Sequence, residues 1–97
     1  MIVVIANVVL KDASDGMFVE AAQNCIECTR KEEGNISYNL FSNTEDGNKY
    51  SFVEEWESQA ALDAHMKTPH FKEFGKAIGD LLAAALEIKV YEAEVKG

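Results

Sequence analysis

The residues best suited to chemistry lie close together, in the segment between Phe52 and Phe71. Glu54 and Trp56 belong to an alternating stretch typical of a β-strand, in which side chains two residues apart share a face. His65 and His70 follow on two predicted short helices, which are separated at Thr68-Pro69. The segment therefore places a carboxylate, an indole and two imidazoles at a strand–helix junction, where a small molecule could be held.

Glu54 and His65 are the candidates for moving a proton. Glu54 shares a face with Trp56, and a carboxyl group covered by helices has a pKa raised towards neutrality, which suits a general base. His65 follows Leu62 by three positions and so can face the sheet, where a nearby carboxylate would orient the imidazole. Simpler interpretations stay open: Glu54 at the rim, paired with lysine or solvent, and His65 in a structural role.

Asn7 is the polar interruption of an apolar first strand, on the same face as Val3, Ile5 and Val9. An unpaired amide among aliphatic side chains costs about 1–3 kcal/mol, so some partner must exist. The partner is either a neighbouring backbone group or water, or a ligand oxygen in a cavity between the sheet and the helices. We take the second as the hypothesis, with Asn7 and Trp56 facing that cavity together.

Substrate-binding roles are predicted for Trp56, Tyr38, Tyr50 and His70. Trp56 is the last residue of its strand. Its indole could pack in the core and line a cavity at the same time. Tyr38 and Tyr50 could wall a pocket for a planar ligand, with core packing as the alternative. His70 lies in the first turn of its helix, where a surface or capping role is the simpler interpretation.

No metal site is predicted. Cys25 and Cys28 form a C-x-x-C in the second half of a predicted helix, whereas a redox pair needs the helix N-terminus. A zinc site would need two further ligands, and no second pair with suitable spacing follows. His65 and His70 are separated by a proline, at a spacing that does not place both on one helix face. We therefore expect two half-buried thiols without a bound metal.

The elements that position these residues follow the order βαββαβ, with two short helices forming one broken connection. This order predicts an α+β, ferredoxin-like antiparallel sheet with helices on one face. Predicted strands span residues 2–10, 35–42, 49–56 and 85–94, and predicted helices span 14–31, 59–67 and 69–82. The chain, residues 1–97, is expected to form a single domain.

The first strand is apolar on both faces, which indicates burial on both faces. The helices suffice to cover one face only. We therefore expect a homodimer that pairs through the sheet, because soluble monomers rarely expose so large an apolar surface.

Composition excludes several classes of partner. The net charge of −8 argues against nucleic acid and against anionic membrane surfaces. No apolar run is long enough to span a membrane, and the apolar N-terminus lacks the basic residues and cleavage site of a signal peptide. A cytoplasmic location is the expectation.

The chain resembles the antibiotic biosynthesis monooxygenase family over nearly its whole length. The matching segments are Glu33-Gly34-Asn35-Ile36-Ser37-Tyr38, Phe52-Val53-Glu54-Glu55-Trp56-Glu57-Ser58, Ala64-His65-Met66 and Thr68-Pro69-His70-Phe71. The resemblance implies a dimeric α+β barrel, in which two sheets pair. It also supports the ligand-facing interpretation of Asn7 and Trp56.

The resemblance implies a cofactor-independent monooxygenase that acts on a small aromatic or quinol-type substrate with O₂. In that reaction Glu54 or His65 would deprotonate the substrate, and Asn7 with the Trp56 N–H would hold the anion. Alternatives are an isomerase or tautomerase of a small hydroxy-ketone, and a protein that binds a small ligand without catalysis. Heme degradation is disfavoured, because Gly75 stands where the heme-degrading members place their iron-binding histidine.

Overall fold

In the computed structural model, which describes residues 1–97, four strands form one antiparallel sheet. The strands are β1 (Ile2–Val9), β2 (Asn35–Ser42), β3 (Lys49–Trp56) and β4 (Glu87–Glu92), in the order β2-β3-β1-β4 across the sheet. The helices are α1 (Asp15–Arg30), α2 (Gln59–Met66) and α3 (Pro69–Ile78), and a 3₁₀ turn at Gly79–Leu81 follows α3. The predicted α+β, ferredoxin-like topology is confirmed.

Two predicted elements differ from the structure by more than one residue, for local reasons. The third helix was expected to reach residue 82, but it tightens into the 3₁₀ turn after Ile78. The fourth strand is shorter than predicted at both ends, because its pairing with β1 extends only from Glu87 to Glu92. Leu10 lies just outside β1 and forms an isolated bridge with Leu82.

The strand register decides which side chains meet the helices. β1 pairs with β3 so that Val4 lies opposite Glu54 and Ala6 opposite Phe52. These even-numbered positions are buried beneath the helices, whereas the odd-numbered positions face the open side of the sheet. The helix-covered core comprises Val4, Ala6, Val8, Leu10, Phe18, Ala22, Ile26, Tyr38, Phe52, Trp56, Leu62 and Ile78.

The break between α2 and α3 is fixed by capping. The Ser58 hydroxyl accepts a hydrogen bond from the Ala61 N–H at the start of α2. The Thr68 hydroxyl accepts from the Phe71 N–H and donates to the His65 carbonyl, with Pro69 in the first turn of α3. Two successive caps therefore turn the chain sharply between His65 and Phe71.

Gly34 brings the turn after α1 against the start of α2. Its φ of +85° lies in the left-handed region, and a Cβ atom built there would come 2.6 Å from the Ala61 Cβ. The Gly34 carbonyl also accepts a hydrogen bond from the Glu57 N–H at 2.8 Å. This close approach carries the neighbouring residue Glu32 towards α2.

The open side of the sheet keeps several large apolar side chains exposed. Phe41, Tyr91 and Val9 are 55%, 45% and 36% exposed on this side. No helix combines the length and apolar character that crossing a membrane requires.

Candidate active site

A cavity of about 150 Å³ lies between the sheet and the broken α2–α3 connection. Its walls are mostly apolar, and four aromatic side chains contribute to them: Tyr38, Phe52, Phe71 and Phe74. Ile88 and Val90 of β4 also line it and are about half exposed, so the cavity opens beside β4. Its polar side chains are Glu54, His65 and Gln59, together with the Tyr38 hydroxyl.

Glu54 is a buried carboxyl on the cavity wall, with only 6% of its surface exposed. Its Oε1 accepts a hydrogen bond from the Trp56 Nε1–H at 3.0 Å. Burial raises the pKa of Glu54 to about 7, and the nearby negative charge of Glu32 adds to the rise, whereas the bond from Trp56 opposes it. Near neutral pH this carboxyl can therefore both accept and release a proton.

His65 is a buried imidazole on the same wall. Its Nδ1 lies 2.7 Å from the Glu32 Oε2, and its Nε2 has no hydrogen-bond partner. Burial lowers the pKa of His65, although the bond to Glu32 acts in the opposite direction. The lowered pKa favours the neutral ring, in which Nδ1–H donates to Glu32 and Nε2 keeps a lone pair. Such a ring is an oriented base.

Glu32 is the site residue that the sequence analysis missed. It lies in the turn after α1, and its Oε2 contacts His65 and also the His70 Nε2, both at 2.7 Å. In the sequence nothing distinguishes Glu32 from the neighbouring Glu33, which is exposed. The one signal in the sequence was Gly34, a residue type that permits the positive φ seen in this turn.

His70 was predicted to bind substrate, but it does not line the cavity. Its ring lies outside the cavity lining and pairs with Glu32. The two histidines do not share a helix face, as expected, but they belong to different helices, and the Thr68-Pro69 turn folds them towards one carboxylate.

The predicted aromatic residues take different positions. Tyr38 lines the cavity as expected, and burial raises the pKa of its phenol well above the usual value, so the hydroxyl stays protonated. Tyr50 does not line this cavity and packs instead against Phe18, with ring centres 5.2 Å apart. Trp56 is fully buried behind Glu54, and its N–H is already engaged there, so it does not hold a substrate anion.

The predicted placement of Asn7 is wrong. Asn7 pairs with Ser51 in the sheet and lies on the open side, whereas Trp56 lies on the helix-covered side. The Asn7 amide donates to the Glu87 carboxylate at 3.0 Å and accepts from the Ser51 hydroxyl at 2.7 Å. Both hydrogen-bond partners of Asn7 lie on neighbouring strands. The sheet separates Asn7 from the cavity, so its side chain cannot hold an anion there.

The two cysteines are free thiols. Cys25 is buried, and burial raises the pKa of its thiol, while Cys28 is half-buried. The Cys25 sulfur lies 3.9 Å from the Tyr38 hydroxyl. A raised pKa disfavours the reactive thiolate of Cys25, which agrees with a structural role.

Two relatives align with most of the chain, and a third aligns with about a third of it. An uncharacterised Synechocystis protein, sll1783, is 41% identical over 94% of this chain, which spans 62% of that relative's length. YcnE of Bacillus subtilis, which carries a provisional monooxygenase name, is 34% identical over 91% of this chain and 93% of its own. YgiN of Escherichia coli, provisionally named a quinol monooxygenase, is 46% identical over 37% of this chain and 36% of its own.

The fold is shared with solved structures. A conserved protein from Methanosarcina mazei superposes with a TM-score of 0.92 at 31% identity, covering 96% of this chain and 92% of the other. The family model described as "Antibiotic biosynthesis monooxygenase" matches residues 1–77, which include Glu32, Glu54, His65 and His70. The chain therefore belongs to the antibiotic biosynthesis monooxygenase family.

Proposed function

We propose that the protein is a cofactor-independent monooxygenase that acts on a small aromatic or quinol-type substrate with O₂. The observation that carries the proposal is the buried Glu54 carboxyl, with a pKa of about 7, on the wall of a largely apolar cavity that includes four aromatic side chains. A base with a pKa near the working pH is the most effective proton acceptor. The monooxygenase names of YcnE and YgiN support the reaction class.

The cavity supports a planar aromatic substrate. An apolar cavity of about 150 Å³ is large enough for one benzene-sized ring. The rings of Phe52 and Phe74 meet edge to face, with centres 5.7 Å apart, and form part of the wall. A larger fused-ring quinol would extend through the opening beside Ile88 and Val90.

The proposed reaction needs one base and an electron-rich ring. The Glu54 carboxylate accepts the proton of a substrate hydroxyl, and the resulting phenolate gives an electron to O₂. The two radicals combine to form a C–O bond at a ring carbon that bears hydrogen. The peroxide then loses water, so one oxygen atom enters the substrate, the ring C–H becomes a carbonyl, and a phenol plus O₂ yields a quinone plus water. His65 is placed to accept or return the second proton.

The test compares two neighbouring glutamates during oxygen uptake with a panel of phenols and quinols. Glu54→Gln removes the base but keeps an acceptor for Trp56, and should lower turnover about 100-fold or more. Glu55→Gln is the control, because Glu55 lies on the open side and accepts from the Ser37 hydroxyl. Equal turnover in the two variants would refute the assignment to Glu54, and absence of oxygen uptake with every substrate would refute the oxygenase.

A second candidate function is isomerisation of a small hydroxy-ketone. The presence of two acid–base groups, Glu54 and His65, on one cavity wall favours it, since a proton could leave one carbon and return to another. Under anaerobic conditions in deuterated water, an isomerase would exchange a substrate hydrogen for deuterium. A protein that only binds the ligand would show a thermal shift with neither exchange nor oxygen uptake.

We also propose that the protein functions as a homodimer through the open side of the sheet. Phe41, Tyr91 and Val9 expose apolar surface there, and the helices cover only the opposite side. A second copy related by two-fold symmetry would bury these residues against an identical surface.

A further inference from the structure

The side chains of Glu32, His65 and His70 form a compact cluster beside the cavity. The His65 Nδ1 and the His70 Nε2 each lie 2.7 Å from the same oxygen, Glu32 Oε2, and all three atoms lie within 4.8 Å of one another. The residues come from three separate parts of the chain: the turn after α1, the end of α2 and the start of α3. The proposed reaction uses the other nitrogen of His65 and does not use His70.

The donor set is that of a transition-metal site. Two imidazole nitrogens and one carboxylate oxygen are the protein ligands found in many zinc sites, with a fourth position left to water. Ligands bound at about 2.0–2.1 Å in a tetrahedron lie about 3.4 Å apart. Each carboxylate–imidazole pair would have to open by less than about 1 Å, and the two imidazole nitrogens would have to approach by up to about 1.4 Å, which side-chain rotation can supply.

The cluster is partly accessible to solvent, through two of its three side chains. The side chains of Glu32 and His70 are 14% and 16% exposed, whereas that of His65 is 2% exposed. An ion could therefore enter past Glu32 and His70 and keep a solvent ligand at that edge. No lysine or arginine pairs with Glu32, so its charge is free of a competing cation.

We propose that Glu32, His65 and His70 bind a divalent first-row transition ion, with Zn²⁺ as the best match to the donor set. His65 contributes Nδ1, His70 contributes Nε2, and Glu32 contributes a carboxylate oxygen. The site shares His65 with the proposed reaction, but through the opposite ring nitrogen, and its test measures binding and not turnover.

Calorimetric titration of the metal-free protein with Zn²⁺ tests the site, together with the visible absorption of the Co²⁺ form. One ion should bind per chain. Glu32→Gln and His70→Asn should each weaken binding about 100-fold or more, since loss of a ligand exceeds the roughly 10–100-fold effect of losing a ligand's outer hydrogen-bond partner. Glu33→Gln, at the exposed neighbouring glutamate, and Cys28→Ser should bind as tightly as the original protein.

Binding that is lost in Cys28→Ser, or that is equal in Glu32→Gln and the original protein, would overturn the proposal. A second measurement does not depend on the variants folding. The chain contains only two histidines, so their ring resonances can be followed directly as Zn²⁺ is added. Both must shift in step with the calorimetric stoichiometry, and a ring that does not respond excludes the site.

Discussion

Glu54 couples the stability of the protein to pH. Its pKa rises from an ordinary 4.5 to about 7 on folding, mainly through burial, so the folded state holds this proton more tightly than the unfolded chain does. The free energy of unfolding contributed by this group is therefore highest below pH 4.5. It falls as the pH rises from there to about 7, by about 3 kcal/mol in total.

The pH dependence can be isolated with Glu54→Gln. Urea unfolding of the original protein and of this variant at a series of pH values should give curves whose difference changes by about 3 kcal/mol between acid and neutral pH, with the variant gaining relative stability as the pH rises. Glu55→Gln should run parallel to the original protein over the same range. A constant difference for Glu54→Gln would mean that the carboxyl is hydrated in solution and its pKa ordinary.

At the scale of elements, the turn at Gly34 leaves no room for a side chain. Gly34→Ala adds a Cβ that meets the Ala61 Cβ at 2.6 Å, in a backbone conformation that disfavours side chains. We expect a loss of about 1–3 kcal/mol in the free energy of unfolding, measured by urea denaturation. Gly16→Ala, in the first turn of α1 with open space around it, should be neutral or stabilising by up to about 1 kcal/mol. Equal effects at the two positions would contradict the close approach of the turn to α2.

The same elements show what could be predicted from sequence. Strong alternation and clear turn residues gave the bounds of β2 and β3, and period two placed Glu54 and Trp56 on one face. The face of β1 that meets the helices could not be predicted, because β1 is apolar on both faces, and Asn7 was assigned to the wrong one. Glu32 was missed because its partner His65 is 33 residues away, and such a contact exists only after the fold has formed.

For the whole molecule, the open side of the sheet predicts a dimer. An interface of the size that stable dimers bury, about 1,200–2,000 Å² in total, should hold the two chains together at micromolar concentration. Sedimentation should then give twice the 10.7 kDa chain mass. Ile5→Glu places a charge in the centre of this side and should shift the population to monomer with an unchanged circular dichroism spectrum. Met17→Glu is the control, because Met17 is 66% exposed on α1. A monomeric original protein would refute the dimer.

The polar bonds around Asn7 bear on how the strands find their alignment during folding. Two hydrogen bonds connect three neighbouring strands through Asn7: one from the Ser51 hydroxyl on β3, and one to the Glu87 carboxylate on β4. A slip of one residue in β4 would separate Glu87 from Asn7 and would turn Ile88 and Val90 away from the cavity. We therefore expect Asn7, the residue first assigned to catalysis, to favour the one pairing of the edge strand that completes the cavity wall.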